Sequence, residues 1–359
     1  MPRFNLSLKR THQALLAVTA ALLVSQSQAA TVLTYVDAKP VDEMRTRFLE
    51  EVFFPAVERE SEGRLKIERH WNGGRDVAFN ALASLAAGKS DLGVVAPEYE
   101  AKSLPLNQIF QSFPVGPAGA KEVAFYRQVY QSVPAFNAEL GKQHLHEIFL
   151  APGYPAAFFA AQPQDNIRDI AGRSWRTSSF WHASFLTSAG ATPTKVRWGP
   201  DIAAALEKGS LSGIFVNIDS AKKLSLQKAA PYVLASPRLW MDHLYIIAMN
   251  ETSWEALSAE DQAAFTRAAA SSYPQYGQRL DEAYTRMIAS FKADGATVHT
   301  LSDAELSQWM QASNYQQHQQ EWATSAALKG SDANTVLEQV SGIFSDYQNQ
   351  AEGDKSSLK

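Results

Sequence analysis

The sequence predicts an α/β fold arranged in two lobes. The chain has 359 residues, and the roughly 330 that follow a short leader exceed what one hydrophobic core usually holds. Segments with strand and helix patterns alternate through the first third of the chain, and the alternation resumes after Pro163. From Trp254 onward the pattern is almost wholly helical. Because alternation of this kind is typical of layered domains with parallel strands, two such domains are expected.

Residues 1–29 have the three parts of a cleavable export signal. Basic residues within the first ten positions precede an apolar run of about eleven residues, Ala14 to Val24, and small residues follow it. Cleavage is expected after Ala29. The run is shorter than the roughly 20 residues needed to span a bilayer, so a permanent membrane anchor is not expected. The chain is therefore predicted to be exported.

The composition narrows the classes of site and partner. The chain has no cysteine, which excludes a thiol nucleophile, a thiolate metal site and a redox couple. Its net charge is -4, and the leader holds three basic and no acidic residues, so the exported part carries about -7. Because it also lacks a basic run, neither nucleic acid nor anionic lipid is an expected partner. No cofactor is expected.

The first part of the exported chain has clear strand and helix patterns. Apolar and β-branched runs predict strands, and apolar residues at helical spacing, each series ended by a glycine, predict helices. The predicted strands are Thr31–Val36, Leu65–Glu68 and Asp91–Ala96, and the predicted helices are Glu43–Glu62 and Asp76–Ala87.

The same patterns continue to the end of the chain. The middle segments are predicted as a helical turn at Ile167–Gly172, strands at Ser174–Thr177 and Leu211–Val216, and helices at Trp181–Ala189 and Asp201–Lys208. Two amphipathic helices are predicted at Glu255–Ser272 and Gly277–Ala293, and a capping box at Ser302 and Glu305 opens another. Residues 346–359 are polar and are expected to form a frayed tail.

Two segments carry a set of motifs in a fixed order. They are IRDIAGRSWR (167–176) with SAGATP (188–193) and IAAALEKGSLSG (202–213), and HLYIIAMN (243–250) with WEALSAEDQ (254–262). Weaker matches at NGG (72–74), LAAGKSDL (85–92) and FP (113–114) extend the pattern over nearly the whole exported chain. Together these motifs resemble the solute-binding proteins of tripartite ATP-independent periplasmic (TRAP) transporters. The resemblance implies a periplasmic protein with a two-lobed, type II-like periplasmic-binding-protein fold, a long hinge-spanning helix and no enzymatic activity.

The resemblance assigns ligand-binding roles to residues of the second lobe. In this family an arginine at the end of a strand binds the ligand carboxylate, and Arg176 matches it. A guanidinium can hold a carboxylate with two parallel N–H···O bonds and keeps its charge. From position alone, Arg176 could instead be a solvated or structurally paired residue. The resemblance also places Trp198 against the ligand, followed by Asn217, with Val216 or Phe215 as alternatives.

The first lobe is expected to add three aromatic residues to the same site, Tyr35, Trp71 and Tyr99. Many relatives carry a second arginine upstream of the strand arginine, where this chain has Ala156. One arginine among many aromatic residues fits a monocarboxylate with an apolar body better than a multiply charged acid. Arg75 is a weaker candidate for the carboxylate ligand because loop arginines are mostly exposed.

Other constellations give weaker signals. His144 and His146 lie on one face of an extended segment, but no third ligand stands at a recognised spacing, so no metal site is expected. Asp37, Glu98 and Asp219 could form an acid–base pair of carboxylates, yet nothing fixes their separation and solvated charges are expected. No nucleophile elbow and no HExxH motif is present.

The expected division places residues 31–152 and 243–275 in the first lobe, and 153–242 and 276–345 in the second, with Glu255–Gly277 as the hinge helix. The expected function is capture of a small organic carboxylate between the lobes and its delivery to the membrane subunits of a TRAP permease. Two alternatives stay open. One is a sensory subunit for the same ligand, and the other is a secreted α/β hydrolase, whose catalytic trio the sequence does not show.

Overall fold

The computed structural model describes residues 29–240, 244–327 and 332–356. The predicted leader therefore lies outside the described residues, except for Ala29. Within the described ranges, no helix combines the length and the apolar character that a membrane crossing would need.

The strands form two mixed sheets, one in each lobe. They are β1 (Thr31–Val36), β2 (Leu65–His70), β3 (Leu92–Val95), β4 (Leu145–Pro152), β5 (Ala156–Ala160), β6 (Ser174–Arg176), β7 (Thr192–Thr194), β8 (Gly213–Asn217), β9 (Tyr232–Ala235), β10 (Leu244–Asn250) and β11 (Thr297–Thr300). The first lobe contains the sheet β2-β1-β3-β10-β4, and the second contains β11-β9-β5-β8-β6-β7.

Each sheet has parallel strands and one strand that runs against its two neighbours. In the first sheet β1 is parallel to β2 and β3, whereas β10 is antiparallel to β3 and β4. In the second sheet β6 is parallel to β7 and β8, whereas β5 is antiparallel to β8 and β9. The parallel strands of each sheet thus share an edge at which their carboxyl ends lie together.

Helices cover both sheets. They are α1 (Met44–Phe48), α2 (Phe54–Glu60), α3 (Gly74–Ala86), α4 (Gly119–Ser132), α5 (Ala135–Gly141), α6 (Phe180–Ser188), α7 (Asp201–Glu207), α8 (Ile218–Lys223), α9 (Glu251–Glu255), α10 (Ala259–Ala293), α11 (Asp303–Ser313), α12 (Tyr315–Ala327) and α13 (Ala333–Ser356). A π-helical turn, Leu49–Phe53, joins α1 to α2.

Helix α10 spans both lobes. Its 35 residues make it about 50 Å long at 1.5 Å per residue. The predicted hinge helix is therefore confirmed. Its predicted bounds, Glu255–Gly277, were wrong, because the helices predicted at Glu255–Ser272 and Gly277–Ala293 form one continuous helix. Pro274 removes one backbone hydrogen bond and its ring crowds the carbonyl four residues earlier, but the flanking Tyr273 and Tyr276 are buried in the first lobe. That packing keeps the helix continuous.

The last helix, α13, packs on the first lobe. Phe344 stacks on Phe113 with ring centroids 4.4 Å apart, and Tyr347 packs against the same core. The predicted division assigned most of α13 to the second lobe and expected residues 346–359 to fray. The described helix runs to Ser356, and its contacts at Phe344 and Tyr347 are with the first lobe.

Candidate functional site

The two sheets approach each other at the carboxyl ends of their parallel strands. Glu43 follows β1 of the first lobe, and Lys223 lies in α8, directly after β8 of the second lobe. Their side chains form an ion pair with an N···O distance of 2.6 Å. Ligands of open α/β sheets bind outside the carboxyl ends of the strands. The gap beside this ion pair is therefore the candidate site.

Arg176, at the end of β6, is a buried cation. Only 5% of its surface is exposed, and burial lowers its pKa, although a guanidinium stays charged. Its Nε donates to the carbonyl of Val196 at 3.2 Å, and its Cζ lies 5.2 Å from the ring centroid of Trp198. No carboxylate in the described ranges forms an ion pair with it. A buried charge without a counter-ion is costly, so this position favours an incoming anion.

The neighbour of Arg176 fixes the strand in place. Successive side chains of a strand point to opposite faces, and Trp175 is fully buried against Phe158. A Cβ on Gly213 of β8 would lie 2.3 Å from the Trp175 ring, so glycine is needed for this close approach. The buried Trp175 thus fixes the strand from which the Arg176 side chain extends on the opposite face.

Asn217 and Phe215 have different environments in β8. Asn217 ends the strand, is 1% exposed and donates from Nδ2 to the carbonyl of Tyr154 at 2.8 Å. Phe215 was expected to be an alternative to Asn217 at the ligand, yet it has no exposed surface and stacks on Phe158 at 4.2 Å. Alternation along the strand turns its ring into the core.

The first lobe contains a buried ion pair next to Tyr35. Arg45 donates from Nη1 and Nη2 to Asp37 at 2.6 and 3.2 Å, and the Tyr35 hydroxyl donates to the same carboxylate at 2.6 Å. Burial alone would raise the pKa of Asp37, but Arg45 and the hydrogen bonds lower it overall. The guanidinium of Arg45 also lies 4.5 Å from the ring centroid of Tyr245.

The expectation that Asp37 is a solvated charge was wrong, because Asp37 has no exposed surface. Sequence reasoning missed Arg45 altogether. The available signal was the position of Asp37, directly after a buried strand, where a charge needs a partner. Nothing local identified Arg45, eight residues later, as that partner.

Trp71 and Tyr99 are the other aromatic residues that the sequence predicted for the site. Trp71 is half-buried and donates from Nε1 to Glu50 at 3.0 Å. Tyr99 is 48% exposed and lies beside Phe79, with ring centroids 4.9 Å apart. The side chain of Arg75, the weaker candidate, lies outside the described part of the chain.

Two lysines share one glutamate at the rim of the gap. The Nζ of Lys39, in the first lobe, lies 3.9 Å from Oε1 of Glu43. The same oxygen forms the ion pair with Lys223. Burial and the neighbouring Lys223 lower the pKa of Lys39, against an opposite effect of Glu43. Burial would lower the pKa of Lys223, but its hydrogen bond to Glu43 raises it. The charge of Asp219 also raises the pKa of both lysines, so the two lysines and the two carboxylates balance.

Residues 40–323 match the family model for the bacterial extracellular solute-binding proteins of family 7. The chain belongs to this family. The match covers most of both lobes and includes Arg176, Trp198 and Asn217. The predicted resemblance to TRAP solute-binding proteins is thus confirmed.

The chain is also similar to a named relative and to several solved structures. The chain is 25% identical over 298 residues to the protein named outer membrane transporter protein TsaT from Comamonas testosteroni, covering 80% of this chain and 85% of the relative. A TRAP periplasmic solute-binding protein from Desulfovibrio salexigens has a TM-score of 0.75 at 21% identity, covering 89% of this chain and 97% of that one.

Two further structures have the same fold. A TRAP solute-binding protein from Rhodoferax ferrireducens, in complex with benzoate, has a TM-score of 0.72 at 17% identity and covers 90% of this chain and 100% of its own. A TRAP solute-binding protein from a marine metagenome, in complex with 3-hydroxybenzoate, has a TM-score of 0.71 at 20% identity. The match covers 89% of this chain and 99% of that one. The predicted two-lobed α/β fold is confirmed.

The family 7 chain shows no cluster of metal-ligating side chains in its described ranges. His146 stacks on Trp254 with ring centroids 4.0 Å apart, whereas His144 is exposed. The two histidines therefore have separate environments.

Proposed function

We propose that this family 7 protein captures a small organic acid between its lobes in the periplasm and delivers it to the membrane permease of a TRAP transporter. The observation that carries the proposal is the buried guanidinium of Arg176, which has no anionic partner among the described residues. Proteins with this fold have been solved with benzoate, 3-hydroxybenzoate and pyroglutamate. Each of these ligands carries one carboxylate.

The contacts of Arg176 leave it ready for a carboxylate. Its Nε is fixed on the Val196 carbonyl, and its two terminal nitrogens form no hydrogen bond within the described ranges. Two such N–H groups can hold both oxygens of one carboxylate. Trp198 holds the guanidinium from its face and is 38% exposed. Asn217, at the end of the adjacent strand β8, would add a polar contact.

A single cation beside exposed aromatic rings favours a monocarboxylate with an apolar body. Position 156, where many relatives have a second arginine, is a fully buried alanine in β5. Trp198 and Tyr99 offer exposed ring surface from the two lobes. Tyr35 and Phe215 have no exposed surface, and Trp71 is held by Glu50, so these three would act as supporting walls.

Binding would be followed by closure of the lobes. The chain crosses between the sheets after β4, after β9 and along α10, and these crossings would act as the hinge. Closure would exclude water and strengthen the attraction between Arg176 and the anion. The closed form would then present a joint surface of both lobes to the permease. No bond is broken in this cycle.

A thermal-shift screen tests the proposal. The probes are benzoate, 3-hydroxybenzoate, pyroglutamate and orotate, because solved structures with the same fold contain them. A ligand at 100 times its Kd stabilises the folded state by about 2.7 kcal/mol, so at least one acid should raise Tm. Arg176→Met should abolish that rise while leaving the Tm of the free protein equal or higher, since an unpaired buried charge is removed.

The matched control is Arg168→Ala, which removes an exposed arginine from the turn before β6. It should keep both the ligand response and the Tm of the free protein. An acid-induced rise in Tm that survives Arg176→Met would overturn the assignment of Arg176. The absence of a response to any acid would overturn the ligand class.

A further inference from the structure

The first lobe has a second pocket, of about 360 Å³, on the face formed by α4, β4 and α10. Its volume falls in the range of small-molecule sites, roughly 300–1,000 Å³. Its lining includes Glu147 of β4, Arg127 of α4, Tyr273 of α10 and Trp254 of α9. None of the residues proposed to hold the organic acid lines this pocket.

Two ionisable side chains of opposite charge in this pocket form no direct ion pair, although Arg127 lowers the pKa of Glu147. Neither Arg127 nor Glu147 forms a hydrogen bond or an ion pair with any residue of the described ranges, and they do not pair with each other. Both side chains are half-buried. Arg127 is instead positioned by Tyr273, whose ring centroid lies 4.3 Å from the guanidinium carbon. Two half-buried charges that face one cavity without partners are costly unless a ligand satisfies them.

The aromatic walls of the pocket are held rigidly. The indole of Trp254 stacks on His146 with ring centroids 4.0 Å apart and planes at 12°. Tyr273 stacks on Phe149 at 4.3 Å, and its hydroxyl accepts a hydrogen bond from a backbone N–H of β4. A preformed aromatic wall binds an apolar group without a large loss of side-chain entropy.

We propose that this pocket binds a small zwitterion of the α-amino acid type. The ligand carboxylate would pair with Arg127, the ammonium group with Glu147, and an apolar side chain would lie against Trp254. A simple acid would leave Glu147 unpaired, and a simple amine would leave Arg127 unpaired. A zwitterion satisfies both charges at once, whereas the site at Arg176 requires only an anion.

Binding at this pocket should become tighter as the pH rises from 6 to 8. Burial raises the pKa of Glu147 to about 7, against an opposite effect of Arg127, and the ligand ammonium needs the ionised carboxylate. Burial lowers the pKa of His146, so its ring carries less charge in this range than an ordinary histidine would. Burial also raises the pKa of Tyr273, and Tyr130, the other facing hydroxyl, is hydrogen-bonded. Glu147, with a pKa of about 7, is therefore the group whose charge changes most between pH 6 and 8.

Calorimetric titration tests the proposal. The Arg176→Met variant is used because it should not bind acids at the interlobe site, so any binding measured is at the pocket. The probes are L-phenylalanine and L-leucine, with 3-phenylpropanoate and 2-phenylethylamine as partners that lack one charge each. We expect saturable binding of an amino acid with Kd near or below about 1 mM. The single-charge probes should bind at least about tenfold more weakly, as should the amino acid to Arg127→Gln or Glu147→Gln.

Lys142→Gln, at an exposed lysine outside the pocket, is the control and should leave amino acid binding unchanged. Three results would overturn the proposal: no saturable binding of either amino acid, equal binding to Glu147→Gln, or equal binding of 3-phenylpropanoate. In the parent chain, Glu147→Gln should leave the response to organic acids intact. A negative result for the amino acid pocket therefore does not affect the proposal for Arg176, and a negative result for Arg176 does not affect the proposal for the pocket.

Discussion

Replacing Arg45 by methionine would expose the cost of the buried charge on Asp37. Asp37 has no exposed surface and Arg45 is 6% exposed. Two N–H···O bonds of 2.6 and 3.2 Å join them. Methionine keeps an apolar stem but supplies neither a charge nor a donor. The carboxylate would keep only the hydroxyl of Tyr35 and the backbone N–H of Lys39.

The expected loss is large. Removing one partner of a buried ion pair destabilises a protein by about 3–5 kcal/mol because the other charge stays buried without compensation. For a chain of this size, about 2 °C in Tm corresponds to each kcal/mol, so Arg45→Met should lower Tm by about 6–10 °C. The double variant Asp37→Asn with Arg45→Met should recover much of this loss. Arg47→Met, at an exposed position of the same helix, should change stability by less than about 0.5 kcal/mol.

Thermal unfolding followed by circular dichroism at several pH values is the assay. In the parent chain the pKa of Asp37 is lowered, so its stabilisation is present at neutral pH and is lost as the pH falls below the unfolded value, about 3.9. Without Arg45, burial is left as the main influence and raises that pKa, so protonation on acidification relieves the variant. The Tm difference should therefore shrink towards about pH 4. A difference that is absent at pH 7, or that stays constant with pH, would refute this reasoning.

Two further predictions concern stability. Gly277→Ala would place a Cβ 2.6 Å from the Cα of Ala120, and such overpacking should cost about 1–3 kcal/mol in urea unfolding. Gly342 also lies inside a helix, but a Cβ there would meet no atom within 4 Å, so Gly342→Ala should stabilise the folded protein by up to about 1 kcal/mol. If both substitutions changed stability in the same direction, the packing of α10 on α4 would be contradicted. Burial raises the pKa of Glu147 to about 7 in the folded protein. As the pH rises from the pKa of this residue in the unfolded chain to about 7, keeping Glu147 buried therefore costs the folded state an increasing amount of free energy. Glu147→Gln should therefore stabilise the protein at pH 8, by at most about 3.5 kcal/mol, and not at pH 4. Equal stability of the two proteins at pH 8 would speak against an ionised, desolvated Glu147.

Local signals in the sequence were enough to predict several elements. The β-branched run at Thr31–Val36 forms β1 with the predicted bounds. The capping box predicted at Ser302 and Glu305 is present, with both reciprocal hydrogen bonds, at the start of α11. These features depend on residues within a few positions of one another, which is the range over which propensity and capping act.

The features that sequence reasoning missed depend on distant partners. Strands β9 and β11 have four residues each and pair with each other across the whole of α10, so neither has a strong local pattern. The pairing of Asp37 with Arg45 and the continuity of α10 through Pro274 depend on burial that only the assembled first lobe provides. The position of Arg176 at a strand end was predictable, but its lack of an acidic partner required the structure.

A crystal structure with a bound acid, chosen from the thermal-shift screen, tests the central claim most directly. Both carboxylate oxygens should lie within about 3 Å of the terminal nitrogens of Arg176, with the Val196 carbonyl still holding Nε. A carboxylate bound elsewhere in the protein, or an Arg176 side chain turned towards an internal acidic residue, would contradict the claim.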